Sequence, residues 1–370
     1  MGSGPTSAVA GQELLDAARG GDEDAFRRLV EPHRGELHAH CYRMLGSIHD
    51  AEDALQEAML RAWRGLSGLQ DRASLRAWLY RISTNTSLDA IARRPKRVLP
   101  VDYGPATDPH DGPGEPVVES IWLEPYPDEK LGIEDGYAGP DARYEQREAV
   151  ELAFIAALQH LPANQRAVLI LREVLGFSAK EVAEALDTTV ASVNSALQRA
   201  RKAVDERLPE QSQQAALRSL GDDELREIVD SYVDAWERND VDTVVELLAE
   251  DATFAMPPLA SWFGGRDEIE IFLASSPMSG DWRWRAVRTQ ANGQPALAYY
   301  AWDPQQNAFM PFALNVLAFE GRRIKEVTAF INRAAPSPDR EVILRMPEHP
   351  HDPQAHQAAF EYFGMPERLD

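Results

Sequence analysis

Between Val98 and Arg143 the chain loses regular hydrophobic periodicity. Pro, Gly and Asp dominate there, and no single helix or strand system can run through such a stretch. At 370 residues the chain also exceeds what one hydrophobic core usually organises, while 44% hydrophobic content supports folded cores on either side of the break. The expected division is a disordered amino terminus (1–11), a helical segment (12–97), an acidic linker (98–143), a second helical segment (144–208), a short linker (209–221), a mixed segment (222–333) and a tail (334–370). No apolar run approaches the roughly 20 residues of a membrane span, and the start MGSGPTSAVAGQ lacks the basic-then-apolar order of a signal peptide. These features predict a cytoplasmic chain, and a single cysteine, Cys41, excludes an internal disulfide.

A net charge of −22 ordinarily argues against binding nucleic acid, but the charge is unevenly placed. Residues 11–97 carry 14 basic and 13 acidic side chains and residues 144–208 carry 8 and 9. The linker carries 2 and 11, and residues 209–370 carry 14 and 27. The excess acid therefore lies outside two balanced segments, which remain free to touch DNA.

The first segment reads as helices throughout, with Gly20-Gly21 as a break and Asp22 or Asp24 as the next cap. Helices are expected over 49–66 and 74–94. The first of these, DAEDALQEAMLRAW, gathers Asp50, Glu52, Asp53 and Glu57 within two turns. In the second, Ser74 is the expected cap and Leu75, Trp78, Leu79, Ile82, Leu88 and Ile91 the inward stripe, before Pro95 stops it among Arg93, Arg94, Lys96 and Arg97. That basic end suits phosphate contact or simple solvation. His33, His38 and His40 with Cys41 do not have the spacing of a metal site, because positions 38 and 40 of a helix point to different sides. Within the linker, SIWLEPYPDEKL (119–130) carries Ile121, Trp122, Leu123 and Tyr126, and large apolar groups in so acidic a stretch predict a docking surface.

The second segment predicts helices at 144–160 and 162–175, and then GFSAKEVAEALDTTVASVNSALQRARKAVDERL. Gly176 ends a helix, and Ser178 with Glu181 forms a capping box. A short helix from Ala179 to Leu186, a turn at 187–189 and a longer helix from Val190 to Leu208 make a helix-turn-helix. Val190, Val193, Leu197, Ala200 and Val204 face inward, and Ser192, Asn194, Ser195, Gln198, Arg199, Arg201 and Lys202 lie on the polar side.

Taken together, residues 12–208 resemble a bacterial extracytoplasmic-function (ECF) sigma factor of the sigma-70 family. DAEDALQEAMLRAW and SLRAWLYRISTNTSLDAIARR are similar to region 2, and LPANQRAVLILREVLGFSAKEVAEALDTTVASVNSALQRARKAV to region 4. The resemblance implies that Asp53, Gln56 and Glu57 dock onto the clamp helices of the RNA polymerase beta-prime subunit. It implies that Asn85, Ser87, Asp89, Arg93 and Arg94 meet the melted minus-10 strand, and that the polar side of the recognition helix reads the minus-35 duplex. Asn194 and Ala196 stand where that family often has Lys or Arg, which implies weaker phosphate attraction here.

Residues 222–333 predict two amphipathic helices, a strand, a third helix after Gly264-Gly265, and four more strands with turns at Asn292-Gly293 and Glu320-Gly321. Helices followed by a curved antiparallel sheet resemble the SnoaL-like cone fold. This segment has no histidine, and Asp251, Asp267, Asp281 and Asp303 sit beside turns where capping suffices. Trp236, Phe254, Trp262, Trp282, Trp284 and Tyr300 line a pocket for a small ligand or the linker, or pack a core; the sequence supports both readings.

The expected fold is thus multidomain, two all-α sigma domains followed by an α+β SnoaL-like domain. The expected function is promoter-specific initiation with core RNA polymerase and promoter DNA. The carboxyl-terminal domain acts in cis, with Trp122, Leu123 and Tyr126 as the docking anchor. No catalytic residue, cofactor, metal or membrane is expected. The alternatives are a SnoaL-like enzyme or ligand sensor whose helical half binds DNA or a partner, and a stand-alone repressor.

Overall fold

The computed structural model describes residues 5–69, 74–114, 117, 121–131, 148–332 and 360–370. The chain divides into two compact units, one of residues 1–96, 129–149 and 154–208, the other of 97–128, 150–153 and 209–370.

The first unit is helical. It opens with α1 (Pro5–Arg19), α2 (Glu23–Val30), α3 (Arg34–Leu45), α4 (Ile48–Gly65) and α5 (Leu75–Ile91). Helix α1 starts inside the stretch expected to be disordered. Pro5 sits in its first turn, where no intrahelical N–H is needed. Asp22 caps α2 by accepting from Ala25 N at 3.0 Å, and Ser47 caps α4 by accepting from Asp50 N at 3.1 Å. Ser74 stands at the start of α5 but makes no capping bond with its side chain.

The buried face of α5 departs from the expected stripe. Leu75, Leu79 and Tyr80 are buried as anticipated in part, but the remaining buried positions are Ser83, Thr84, Thr86 and Ser87, whereas Ile82, Leu88 and Ile91 are only half-buried. Hydroxyls tolerate this burial because they bond back along the helix: Thr84 to Tyr80 O (2.7 Å), Thr86 to Ile82 O (2.9 Å) and Ser87 to Ser83 O (2.9 Å). Thr84 also meets His40 Nε2 at 2.9 Å.

The second helical stretch is α6 (Leu152–Gln159), α7 (Ala163–Leu169) running into a π-helical turn over Ile170–Val174, α8 (Ala179–Ala185) and α9 (Val190–Asp205). Of the helix expected over 144–160, residues 144–147 lie outside the described residues, Glu148 is helical, a turn follows at 149–150, and α6 covers Leu152–Gln159. Both helical stretches share one core. Arg43 Nε donates to Ala149 O at 3.0 Å, and Gln159 Nε2 to Arg43 O at 3.3 Å. Buried Arg166 donates to Met44 O and, through Nη2, to Gln159 O (3.0 Å) and Leu161 O (3.3 Å).

Among the described residues, the second unit holds α10 (Gln213–Leu220), α11 (Asp222–Arg238), α12 (Val241–Leu247), α13 (Arg266–Ser275) and six strands. These are β1 (Leu248–Ala255), β2 (Trp262–Gly264), β3 (Trp284–Ala291), β4 (Gln294–Asp303), β5 (Ala308–Glu320) and β6 (Arg323–Ile331), in the order β2-β1-β6-β5-β4-β3. The sheet is mixed rather than antiparallel throughout, because the meander from β3 returns β6 alongside β1 in the same direction. Strand β2, only three residues long, carries too short a pattern to read in the sequence.

Phe254, Phe263, Phe272, Trp236 and Trp284 pack between the helices and the inner sheet face. On β4, Tyr299 faces that core, whereas its neighbour Tyr300 packs on Phe360 (ring centroids 5.3 Å) and donates to Pro366 O at 2.8 Å. Phe309 and Leu369 exchange backbone hydrogen bonds at 2.8 and 2.9 Å, so the carboxyl end adds to the sheet; tail residues 334–359 lie outside the described residues.

Candidate functional site

On α4, Ala51, Ala54, Leu55 and Ala58 are buried, which turns Asp53, Gln56 and Leu60 outward and leaves Glu57 partly exposed. Leu60 is 51% exposed, so this acidic face has an apolar end that the sequence reading missed. Its charges are tied to the end of α5. Arg61 bridges Glu57 and Asp89 at 2.8 Å each, and Arg94 bridges Asp50 and, at 3.6 Å, Asp53.

The residues expected at the minus-10 strand therefore divide. Asp89, Arg93 and Arg94 are exposed and Asn85 half-buried. Ser87 is fully buried and committed to Ser83 O, which removes it from any surface that DNA can reach in this conformation. Beneath them, burial pushes the Cys41 thiol up to about 12 and holds His40 down to about 3. Burial also holds His38 down to about 4, against the pull of nearby Glu52. These groups are neutral packing at physiological pH.

The helix-turn-helix is built by local signals. Ser178 and Glu181 form the reciprocal capping box at 2.8 and 3.2 Å, Asp187 takes a left-handed φ of 50° in the turn, and Thr189 caps α9 through Ser192 N at 3.1 Å. Val193, Leu197, Ala200 and Val204 are buried, so Ser192, Asn194, Ser195, Gln198, Arg199, Arg201 and Lys202 all emerge on the surface. Arg201 is held by Glu173 at 2.6 Å, and Ser192 accepts from Thr189 Oγ1 at 2.9 Å. An open groove beside α9 is lined by Arg172, Asn194, Gln198, Arg201 and Lys202.

In the second unit the described parts of the linker are structured, while 115–116, 118–120 and 132–143 lie outside the described residues. Val98 pairs with Trp122, and Arg97 donates to Trp122 O at 2.8 Å. Trp122, Leu123 and Tyr126 are buried. The β3–β4 turn receives them: Tyr126 N donates to Asn292 Oδ1 and Asn292 N to Tyr126 O, both at 2.8 Å, while Gly293 N donates to Asp128 at 2.7 Å. Asn292 Nδ2 also donates to Val150 O at 2.8 Å, and Glu151 accepts from Gln213 N (3.0 Å) and Gln214 N (2.7 Å) at the start of α10. Further along, Gly104 and Thr107 meet Trp262 of β2, Trp262 Nε1 donating to Gly104 O (2.9 Å) and Thr107 N to Trp262 O (2.8 Å), and Val117 N donates to Pro258 O (3.1 Å) in the connection before β2.

An aromatic cavity of about 100 Å³ lies within this unit, lined by Trp236, Phe254, Trp282 and Trp284 among others. Trp262 and Tyr300, expected there, do not line it. Trp262 is spent on the linker, and Tyr300 points to the opposite sheet face because successive strand residues alternate. The lining residues that sequence reasoning missed are Tyr299, Phe312 and Asn315; a lone Asn in the apolar run FALNVLAF was the available signal. None of Asp251, Asp267, Asp281 and Asp303 lines the cavity. Asp251 pairs with Lys325, and Asp303 accepts from Gln305 N at 2.8 Å and Gln306 N at 3.2 Å in a turn.

Comparison with known proteins agrees with this geometry. Residues 29–97 match Sigma-70 region 2, residues 145–204 match Sigma-70, region 4, and residues 229–327 match the SnoaL-like domain. Two promoter-binding regions in this order define a bacterial transcription initiation factor. The chain is 41% identical over 327 residues to the ECF RNA polymerase sigma factor SigG of Mycobacterium tuberculosis, covering 87% of this chain and 84% of that one. It is 29% identical over 201 residues to SigW of Bacillus subtilis, covering 53% of this chain and 96% of that one. The fold is shared with the crystal structure of the M. tuberculosis ECF sigma factor SigJ, at a TM-score of 0.50 and 23% identity over 80% of this chain and 93% of that one. The chain belongs to the ECF sigma factors of RNA polymerase: it binds core polymerase and promoter DNA and directs initiation. Among the described residues, no helix is long and apolar enough to cross a membrane.

Proposed function

We propose that this sigma factor works in the cytoplasm and that its SnoaL-like domain sets its activity by holding the connection between the two sigma regions. The observation that carries this reading is the Asn292 turn. One buried side chain grips Tyr126, from the stretch that follows region 2, and Val150, from the stretch that precedes α6. The chain leaves the helical unit at Arg97, returns at Glu129 and leaves again over Val150–Ala153, so the stretch that follows region 2 and a short piece at the start of region 4 both belong to the SnoaL-like unit. A connection folded into a domain is shorter than a free one of the same length, and it limits how far the two DNA-binding regions separate.

In this reading Asp53, Gln56 and Glu57 meet the beta-prime clamp helices, with Leu60 supplying the apolar end of the contact. Asn85, Asp89, Arg93 and Arg94 meet the minus-10 strand. Ser192, Asn194, Ser195, Gln198, Arg199, Arg201 and Lys202 meet the minus-35 duplex in its major groove. Arg94 and Arg61 must then exchange Asp50, Asp53, Glu57 and Asp89 for outside partners, so polymerase docking and strand contact are coupled through two arginines. The experiment is run-off transcription with core polymerase on genomic fragments, comparing the full chain, Trp122→Ala, a deletion of 334–370 and a chain ending at Leu208. We expect new promoter-dependent starts with the full chain and more transcript from Trp122→Ala and the tail deletion. Identical titration curves for all four proteins would remove regulation in cis, and an absence of new starts would remove the initiation role itself.

A further inference from the structure

The recognition helix α9 departs at its first residue from the pattern that its hydrophobic spacing predicts. Val190, expected to face inward, is 43% exposed, while Val193, Leu197, Ala200 and Val204 fill the buried side. Val190, Asn194 and Gln198 follow one another at intervals of four, which keeps them on one stripe and spaces them about 6 Å apart along the axis. Asn194 and Gln198 are exposed and both line the open groove. Among the described residues, neither side-chain amide has a hydrogen-bond partner.

The other polar groups of α9 are differently committed. Arg201 Nη2 donates to Glu173 at 2.6 Å, Lys202 lies 3.9 Å from Glu206, and Ser192 accepts from Thr189 Oγ1 inside the cap. Arg199 is exposed, but the single step from Gln198 turns it about 100° around the helix, away from the stripe. No carboxylate occurs on α9 before Asp205. These residue types select within the major-groove code. There Arg or Lys takes the O6 and N7 of guanine, Asp or Glu the N4 of cytosine, Asn or Gln the N6 and N7 of adenine, and an apolar group the methyl of thymine. The stripe offers one apolar group and two unbonded amides, and the arginine beside it is held by a carboxylate. A side-chain amide fits adenine because its oxygen accepts from N6 while its nitrogen donates to N7. The roughly 12 Å from Val190 to Gln198 span about three to four base pairs.

We propose that Val190, Asn194 and Gln198 are the specificity-determining stripe of the recognition helix and that they select A·T base pairs in the minus-35 duplex. Asn194 and Gln198 each take one adenine, about two base pairs apart, and Val190 packs on a thymine methyl at one end of the stripe. Arg199, turned to the side, meets the phosphate backbone, which positions the helix without reading sequence. This inference rests on the placement of α9 in the major groove, and it adds the base pairs that the helix chooses there.

The test uses holoenzyme assembled from the full chain and a promoter mapped by run-off transcription, with filter binding to duplexes changed one base at a time across the minus-35 element. Replacing adenine by 7-deazaadenine deletes N7, and replacing thymine by uracil deletes the methyl; base pairing is kept in both. We expect two adenines about two base pairs apart at which 7-deazaadenine weakens binding of the parent at least threefold, and one thymine beside them at which uracil weakens it about twofold. Asn194→Ala should abolish the sensitivity at one adenine, Gln198→Ala at the other and Val190→Ala at the thymine, because a contact already removed has nothing further to lose. All three residues are exposed, and each variant decides one position by itself, so a folding failure in one leaves two to judge the stripe. Arg199→Ala is the control for the wider reading: it should weaken every duplex alike and leave the pattern of analogue effects unchanged. A minus-35 element without these A·T pairs, a parent indifferent to both analogues, or analogue effects that persist in the variants would overturn the assignment of bases. If Arg199→Ala also binds every duplex as the parent does, the placement of α9 fails, and the assignment of bases fails with it.

Discussion

The outer face of α4 and the linker from Trp122 to Asp128 both carry sequence marks of a docking surface, and the structure treats them oppositely. On α4 the polar groups stay at the surface, share ion pairs with Arg61 and Arg94, and flank an exposed Leu60. In the linker, Trp122, Leu123 and Tyr126 are buried, and the backbone around them is hydrogen-bonded to the β3–β4 turn. A surface kept for another molecule remains solvated and exchangeable. A surface used within the chain is desolvated and fixed, because its partner is always present at high effective concentration. Perturbing the linker should therefore change stability first, and perturbing α4 should change binding with little effect on stability.

The largest effect is expected from Tyr126→Ala, which removes a fully buried ring and should destabilise the SnoaL-like unit by about 3–5 kcal/mol. Urea unfolding followed by tryptophan fluorescence measures it; a loss under about 1 kcal/mol would place the linker with α4 as a surface contact. Next is Asn292→Ala, expected to cost about 2–4 kcal/mol, since it orphans Tyr126 N and Val150 O and leaves a side chain at a left-handed φ of 56°. Asn292→Gly relieves the backbone part alone. If the glycine variant recovers nearly all the stability, the amide contacts contribute little and the comparison fails at its centre.

Acid separates the two units in another way. Burial holds His38 down to about 4 and His40 to about 3, below the ordinary 6.5, so the unfolded chain binds more protons than the folded one. Stability of the helical unit is then full above pH 6.5 and falls as the pH drops toward 4, by roughly 2 kcal/mol per histidine at pH 5. Residues 222–333 contain no histidine, so the helical unit should lose more stability than the SnoaL-like unit between pH 7 and pH 5. Hydrogen exchange read separately from peptides of each unit checks the order, and equal losses would refute it.

How much of this was legible in the sequence follows from how local each signal is. The capping box at Ser178 and Glu181 and the turn at Asn292-Gly293 are written within four residues, and both are present. The inward face of α5 was misread because apolarity was taken as the mark of burial, while Ser83, Thr84 and Ser87 are buried. Two of these hydroxyls satisfy themselves along the helix. Tyr300 was placed in the cavity instead of Tyr299 because YY offers two apolar rings and the strand's phase is set only by pairing with β5. The role of Asn292 was invisible, since its partners Tyr126 and Val150 are 166 and 142 residues away. The parallel β1–β6 pair is likewise a long-range fact.

A smaller effect is expected on the recognition helix. Arg199→Ala should lower promoter affinity of the holoenzyme and reduce the magnitude of its salt slope by about 1, the signature of one lost phosphate contact. Arg201→Ala should do less, because Arg201 is already shared with Glu173 at 2.6 Å and must leave that partner to reach DNA. Filter binding at several salt concentrations ranks the two, and equal salt slopes for both variants and the parent would misplace the DNA face.

The smallest change in stability is expected where the first comparison began, from Asp53→Ala combined with Glu57→Ala. Asp53 is 71% exposed at its side chain and Glu57 44%, and each is held by an arginine that is itself partly solvated. Exposed pairs of this kind contribute about 0–1 kcal/mol, so the double variant should unfold within about 0.5 kcal/mol of the parent. Binding to core polymerase should nevertheless weaken, because two carboxylates are lost from a face that meets a basic surface, and the loss should shrink as salt is raised. Leu60→Ala adds a control that salt should not touch, since it removes apolar area from the same face. Titration of labelled core polymerase at low and high salt reads all three. Parent-like affinity in the double variant, with its stability intact, would show that the exposed carboxylates of α4 serve only their own arginines.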